Sequence, residues 1–253
     1  MAVQVAQYGA DWPAFLAAAR EAEAMGVDAL FNWDHFFGPG ANSTDPNFEC
    51  WTMLAAWAAS TSQITLGPLV SCIGYRNPDL VADMARTVDH VAGGRLILGV
   101  GAGFKERDYL EYGYEFGSVA SRITDLEHGL ARIRNRLLRL QPPPAGPLPI
   151  LIAGSGERRM LRLVAQHADT WHTFAEGEAF AHKSRVLDRY CREIGRPPDE
   201  IERSVLVAGD PASVGQPLRD LGATLFVVSA TGRPEIDFAP VAEWLRWRDL
   251  QNA

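Results

Sequence analysis

Apolar and polar positions along this chain fall into two alternating rhythms. Short apolar, β-favouring runs at residues 3–8, 29–33, 64–71, 96–100, 150–153, 169–174, 204–207 and 224–229 are strand-like. Between and after them lie segments with helical spacing, at 12–25, 50–59, 79–91, 123–140, 158–167, 178–194, 217–221 and 240–250. Gly26, the Gly93-Gly94 pair and Gly195 stop three of the helices, and Pro78 sits where the third begins. The clearest helix repeats Ile123, Leu126, Leu130, Ile133, Leu137 and Leu140 at steps of three and four. Arg132, Arg134, Arg136 and Arg139 lie between them, which gives an apolar stripe opposite a basic face. That face reads as solvated helix surface rather than as an anion site.

Strict strand-then-helix order predicts a parallel sheet with right-handed crossovers, and eight units favour closure. The expected fold is α/β, a single (β/α)₈ TIM barrel over residues 1–253. The proline-rich stretch 142–147 is too short for a domain linker, because the alternation resumes at once. In such a barrel, ligands bind at the C-terminal ends of the strands, so the residues that follow each strand are the first places to look.

Composition narrows the function classes. Apolar residues make up 47% and charged residues 22%, the balance of an ordinary globular protein, and the net charge of −7 argues against nucleic-acid partners. Cys50, Cys72 and Cys191 have neither disulfide nor zinc-site spacing and read as free thiols in a reducing compartment. The N-terminus lacks the basic and apolar regions of a signal peptide, and no apolar stretch is long enough to span a bilayer. The expected location is cytoplasmic, away from membranes. No metal-ligand cluster, nucleophile elbow or Walker loop is present, and Gly99, Gly101 and Gly103 do not fit the Rossmann fingerprint.

Two kinds of candidate remain at the strand ends. After the second strand, Asn32-Trp33-Asp34-His35-Phe36-Phe37 places His35 among aromatic rings and beside a carboxylate. A histidine there can exchange a proton near neutral pH, or it can simply brace the loop. His90, His128, His167 and His182 fall on helices and read as surface or packing residues; His172 lies on the sixth strand. The other candidates are glycine turns: Gly67 with Leu69, Val70 and Ser71; Gly99, Gly101 and Gly103; and Ala153-Gly154-Ser155-Gly156 with Arg158 just beyond. Bare backbone there would let N–H groups approach a planar ring or a phosphate, although tight strand-to-helix turns need glycine in any barrel. The last of these turns precedes a helix, whose N-terminus favours an anion.

These residues resemble a known family. The segments Gln7-Tyr8-Gly9 with Trp12, Ala22 to Leu30, and Asp34-His35-Phe36 are similar to the start of luciferase-like monooxygenases. Glu49-Cys50-Trp51-Thr52, Ile64-Thr65-Leu66-Gly67, Tyr75-Arg76-Asn77-Pro78, Gly94 to Gly103 and the closing Trp244 to Asp249 continue the likeness in order. The resemblance implies a barrel that binds FMN or the deazaflavin coenzyme F420, and Asp34-His35-Phe36 looks more like the F420 branch. It implies that His35 is the acid or base beside the ring, and that a non-proline cis bond joins Leu69 to Val70. It also implies that Gly154, Ser155 and Gly156 receive the cofactor phosphate.

The chain departs from the family's sugar-phosphate dehydrogenases. Phe104 stands where they carry a catalytic glutamate, with Glu106 two residues later. The tryptophan after their histidine is absent, the loop here being Phe37-Gly38-Pro39-Gly40 with Asn42, and no phosphate-binding lysine appears near Thr173 to Ala175. The departures therefore imply an apolar substrate pocket, and the substrate is an unidentified small organic molecule. The activity is hydride transfer with F420 or, alternatively, FMN-dependent oxygenation; a non-catalytic carrier of the same cofactor is the third reading. The shortness of the chain around and after the seventh strand suggests a pocket that is open or completed by a second copy. Trp244 and Trp247 either belong to such a homodimer or pack on the barrel.

Overall fold

The computed structural model describes residues 1–40, 43–232 and 234–252, so Asn42 of the second strand's loop lies outside it. The strands are β1 (Ala2–Val5), β2 (Ala29–Asn32), β3 (Thr65–Pro68), β4 (Ser71–Cys72), β5 (Leu98–Gly101), β6 (Ile150–Ala153), β7 (Thr170–Thr173), β8 (Glu202–Val207) and β9 (Leu225–Ala230). The helices are α1 (Trp12–Ala24), α2 (Cys50–Ser60), α3 (Pro78–Val91), α4 (Glu106–Glu111), α5 (Val119–Leu137), α6 (Met160–His167), α7 (Gly177–Glu193), α8 (Pro211–Asp220) and α9 (Ala239–Asn252). All strand pairs are parallel, in the order β3-β2-β1-β9-β8-β7-β6-β5-β4.

The two ends of that order meet. Leu66 N–H donates to Arg95 O at 3.1 Å and Ile97 N–H to Leu66 O at 2.9 Å, which closes the sheet into a (β/α)₈ barrel. The closure explains why the expected third strand, 64–71, is two pieces. Its first half, β3, pairs with β2 up to Asn32 and Pro68. After a cis peptide at Leu69-Val70 its second half, β4, pairs with β5. Gly67 and Gly99 serve this seam rather than a ligand. A side chain on Gly67 would meet Ile97 O, and one on Gly99 would meet Pro68 O.

Two apolar layers hold the barrel. Ala2, Ala29, Phe31, Leu151, Leu225 and Val227 fill its interior, while Val3, Val5, Leu30, Leu66, Trp171, Val205 and Val228 face the helices. Leu126, Leu130 and Ile133 of α5 are buried as their periodicity predicts, each stabilising by about 1.5–3 kcal/mol. Leu140 is buried too, but beyond the end of that helix. The basic face of α5 is not merely solvated: Arg132 pairs with Asp79 and Arg136 with Asp83, both on α3.

Local chemistry starts the helices. Asp11, Glu49, Asn77 and Asp210 accept backbone N–H groups at the N-caps of α1, α2, α3 and α8, and Ser118 with Ser121 forms a capping box on α5. Helix α8 begins at Pro211, six residues ahead of the expected 217, and holds Pro217 inside it. The short α4 was not anticipated. Trp244 is 1% exposed and stacks on Phe226 of β9, with Trp247 against both, so these rings belong to the chain's own barrel. Among the described residues, no helix is long and apolar enough to cross a membrane.

Candidate active site at the mouth of the barrel

A cavity of about 570 Å³ opens at the C-terminal ends of the strands. It gathers Asp34, His35, Leu69, Val70, Gly101, Gly103, Ala153, Gly154 and Gly156 from four separate turns, together with Phe104, Ile123, Met160, His172 and Phe174. Ser71, Ser155 and Arg158 do not line it.

His35 follows β2 and borders the cavity, its ring edge-on to Trp33 on one side and Phe104 on the other. Its Nδ1 lies 2.6 Å from Asp108 Oδ2. A carboxylate accepts, so the proton sits on Nδ1 and leaves Nε2 facing the cavity with no partner among the described residues. Asp108 is wholly buried on α4 and also accepts from Tyr75 Oη at 3.1 Å. Burial pushes the Tyr75 hydroxyl well up, with the neighbouring Cys72 and Asp108 adding to it, so it stays a donor. Two cations bring Asp108 to His35. Lys105 Nζ donates to Phe37 O and Gly38 O at 2.7 and 3.0 Å, and Arg107 lies over the Phe37 ring while bonding Ser43 O. The loops after β2 and β5 are thereby clamped together.

Asp34 plays a supporting part. Its carboxylate takes both Nη atoms of Arg76 at 2.6 and 3.0 Å, Ser71 Oγ at 3.1 Å and Cys72 N–H at 2.9 Å. Burial alone would lower Arg76, but Asp34 beside it more than restores the guanidinium and leaves it above its ordinary value. Burial would likewise raise Glu49, but bonds from Thr52 and Trp51 and the nearby Arg76 keep it below the usual carboxylate range. This network holds β4 in place just past the cis Leu69-Val70 peptide, whose Leu69 O accepts from Gln4 Nε2 at 2.9 Å.

On the far wall, the turn 154–156 precedes α6. Gly154 has φ +137° and a Cβ there would lie 2.9 Å from Met160. The backbone N–H groups of Ser155, Gly156, Glu157 and Arg158 donate to nothing among the described residues. Ser155 Oγ turns to Thr173 Oγ1 at 2.6 Å, and Lys183 Nζ braces Ser155 O at 2.9 Å. Glu157, whose charge would oppose an anion, is engaged by Lys183 and His182. Helix α6 begins at Met160, two residues later than expected, which leaves Arg158 exposed in the turn.

The remaining histidines separate cleanly. His90, His128 and His182 are exposed and His167 is half-buried, whereas His172 of β7 turns into the barrel. Burial pulls His172 from 6.5 down to about 4. The unfolded chain takes up a proton at this residue before the folded protein does. Folding stability should therefore fall as pH drops from about 6.5 to about 4 and level off below, a loss of about 3 kcal/mol from this group. Urea unfolding of His172→Gln across that window should show a flatter dependence than the unaltered protein. Equal slopes would mean the imidazole charges inside the barrel.

Comparison with known proteins agrees with this architecture. A family model described as luciferase-like monooxygenase matches residues 2–209, and the chain belongs to that family. The phthiodiolone/phenolphthiodiolone dimycocerosates ketoreductase of Mycobacterium tuberculosis is 31% identical over 187 residues, 59% of this chain and 48% of the relative. The pyrimidine monooxygenase RutA of Stutzerimonas stutzeri is 28% identical over 204 residues, 71% of this chain and 56% of the relative. The chain thus spans about half the length of these curated relatives.

Among solved structures, an F420-dependent secondary alcohol dehydrogenase in complex with an F420-acetone adduct superposes with a TM-score of 0.80 at 17% identity, over 97% of this chain and 98% of that one. The FMN complex of the oxygenating constituent of 3,6-diketocamphane monooxygenase, from Pseudomonas putida, gives 0.63 at 17% identity, over 78% and 62%. At such identities these two likenesses bear on the fold alone.

Proposed function

We propose that the chain is an F420-dependent oxidoreductase that moves a hydride between the deazaflavin and a small, largely apolar organic substrate. The observation that carries this reading is the His35–Asp108 pair at 2.6 Å, set against an apolar cavity with the free Nε2 facing inward. Oxidising an alcohol or reducing a ketone by hydride transfer moves a proton at the substrate oxygen as well. A histidine held in one tautomer by a buried carboxylate is suited to take or give that proton.

The residues present fit a flavin-type group. Side chains on Gly101 and Gly154 would run into Val70 and Met160, so both turns keep bare backbone against the cavity. The free N–H groups at 155–158, at the start of α6, suit a phosphate. Leu69, Val70, Gly101 and Gly103 would border the ring, and Ala153, Gly154, Ser155, Gly156 and Arg158 the phosphate end. Asp34 and Ser71 would act one layer behind, by fixing β4. When bound, the deazaflavin supplies a two-electron hydride donor or acceptor. His35 holds or releases the proton at Nε2, Asp108 orients the ring, and Phe104, Ile123 and Phe174 exclude water from the substrate side.

The same dry walls favour a second reading, FMN-dependent oxygenation. Titrating the purified protein with F420 and with FMN by calorimetry separates the two. Tight binding of F420, with turnover that persists without oxygen, is expected. Tight FMN binding with oxygen-dependent turnover and no response to F420 would overturn the deazaflavin reading.

A further inference from the structure

His172 is a buried polar side chain of the cavity wall that the proposed chemistry does not use. It is 1% exposed, borders the cavity, and its Nε2 is buried with no hydrogen-bond partner among the described residues. Its other nitrogen, Nδ1, lies 2.8 Å from Ser204 Oγ on the neighbouring strand, where the two residues are in register. Ser204 is fully buried, and His172 is the only partner of its hydroxyl among the described residues.

The tautomer follows by counting. If Nδ1 carried the hydrogen, both the Ser204 hydroxyl hydrogen and the Nε2 lone pair would lack a partner. If Ser204 donates to Nδ1, only the Nε2–H is left over. Leaving a buried polar group unpaired is costly, and the second arrangement leaves one such group instead of two, so Nε2 is a donor. An unspent donor in a protein interior points to something that completes it.

The surroundings define the acceptor. Leu69, Ala153 and Phe174 also line this cavity and cannot solvate an ion, which favours a neutral acceptor such as a carbonyl oxygen. Position adds a second constraint. Counting β3 and β4 as one barrel strand, β7 stands four strands from β2 in either direction, so His172 faces the His35 loop across the barrel. A planar ligand with its reacting edge at His35 would present its opposite edge to His172. Flavin and deazaflavin heterocycles both carry ring carbonyls. We infer that His172 is a cofactor-recognition residue whose Nε2–H donates to a ring carbonyl of the bound flavin or deazaflavin, with Ser204 as the positioning residue that fixes its tautomer. This rests on the flavin-type cofactor reading above, but not on which of the two cofactors is used.

The test is calorimetric titration of F420 and FMN, without substrate, into the unaltered protein, His172→Phe, His172→Gln and the double variant His172→Phe with Ser204→Ala. The double variant removes both ends of the internal hydrogen bond and so guards against a folding defect. Whichever cofactor the unaltered protein binds should bind roughly ten- to a hundredfold more weakly to both phenylalanine variants. His172→Gln, which keeps an N–H donor, should recover most of that loss. The absorption band of the bound cofactor should also shift between His172→Phe and the unaltered protein. If the unaltered protein binds neither cofactor, the cofactor reading falls and this inference with it. If it binds a cofactor and the phenylalanine variants bind it equally well, the inference alone falls. Unchanged cofactor affinity with a raised substrate KM would likewise overturn it, assigning the carbonyl to the substrate.

Discussion

Replacing His35 with alanine should lower turnover by about a hundred- to ten-thousandfold while changing cofactor affinity only slightly. The imidazole is the proton-handling group whose Nε2 meets the cavity, and its loss removes an interaction needed in the transition state rather than in ground-state binding. Accordingly, kcat and kcat/KM should fall together. Asp108→Asn should cost less, because an amide can still bond Nδ1 but no longer favours the required tautomer as strongly. Steady-state kinetics with calorimetry on the same preparations would check this. Full turnover in His35→Ala would return the residue to a loop-bracing role, and normal binding with no turnover would argue against a non-catalytic carrier.

Removing the Asp34 carboxylate should be the most destabilising single change near the site. Asp34→Ala takes from Arg76, only 12% exposed at its side chain, its bidentate partner and leaves it with Glu49 alone, and it leaves Ser71 Oγ and Cys72 N–H without an acceptor. Breaking one side of a buried ion pair costs about 3–5 kcal/mol. The urea midpoint should drop accordingly. Adding Arg76→Met should restore only part of the loss, since the Cys72 N–H stays unpaired. Cofactor affinity should fall in parallel, because the same bonds hold β4 beside Leu69 and Val70. A midpoint within experimental error of the unaltered protein would sink the argument.

The barrel was legible because strand and helix periodicities differ, and because glycine and proline punctuated them. What escaped had no periodic signature. The third strand read as continuous through 64–71 since its residues are uniformly apolar or small, and nothing local announces that its halves pair with different neighbours. Helix α4 spans six residues with mostly polar side chains, too short for a stripe, and with it Asp108 went unnoticed. The rule that strand ends carry chemistry pointed at the glycine turn after β5, and Glu106, the carboxylate two residues past Phe104, is exposed away from the cavity. Only the fold, joining positions 73 residues apart, selects Asp108 instead. Asp34 adjoins His35 and borders the same cavity, but alternation along an extended segment turns the two side chains to different partners, which the sequence alone does not show. Gly67 and Gly99 looked like the ligand turns around them, since a sequence does not distinguish a backbone approached by a ring from one approached by another strand.

That seam ties architecture to chemistry in a way that restricts how this protein can change. Gly99 sits against both Pro68 O and the Val70 side chain, and the next inward glycine, Gly101, leaves room for Val70 Cγ2 with 2.6 Å to a built Cβ. The hoop that closes the cylinder and the wall that would support the ring are therefore the same handful of atoms. Mutational drift that reshaped the wall would also unfasten the hoop, so diversification of specificity is channelled to the exposed rings at the mouth, Phe104 and Phe174 on the loops after β5 and β7.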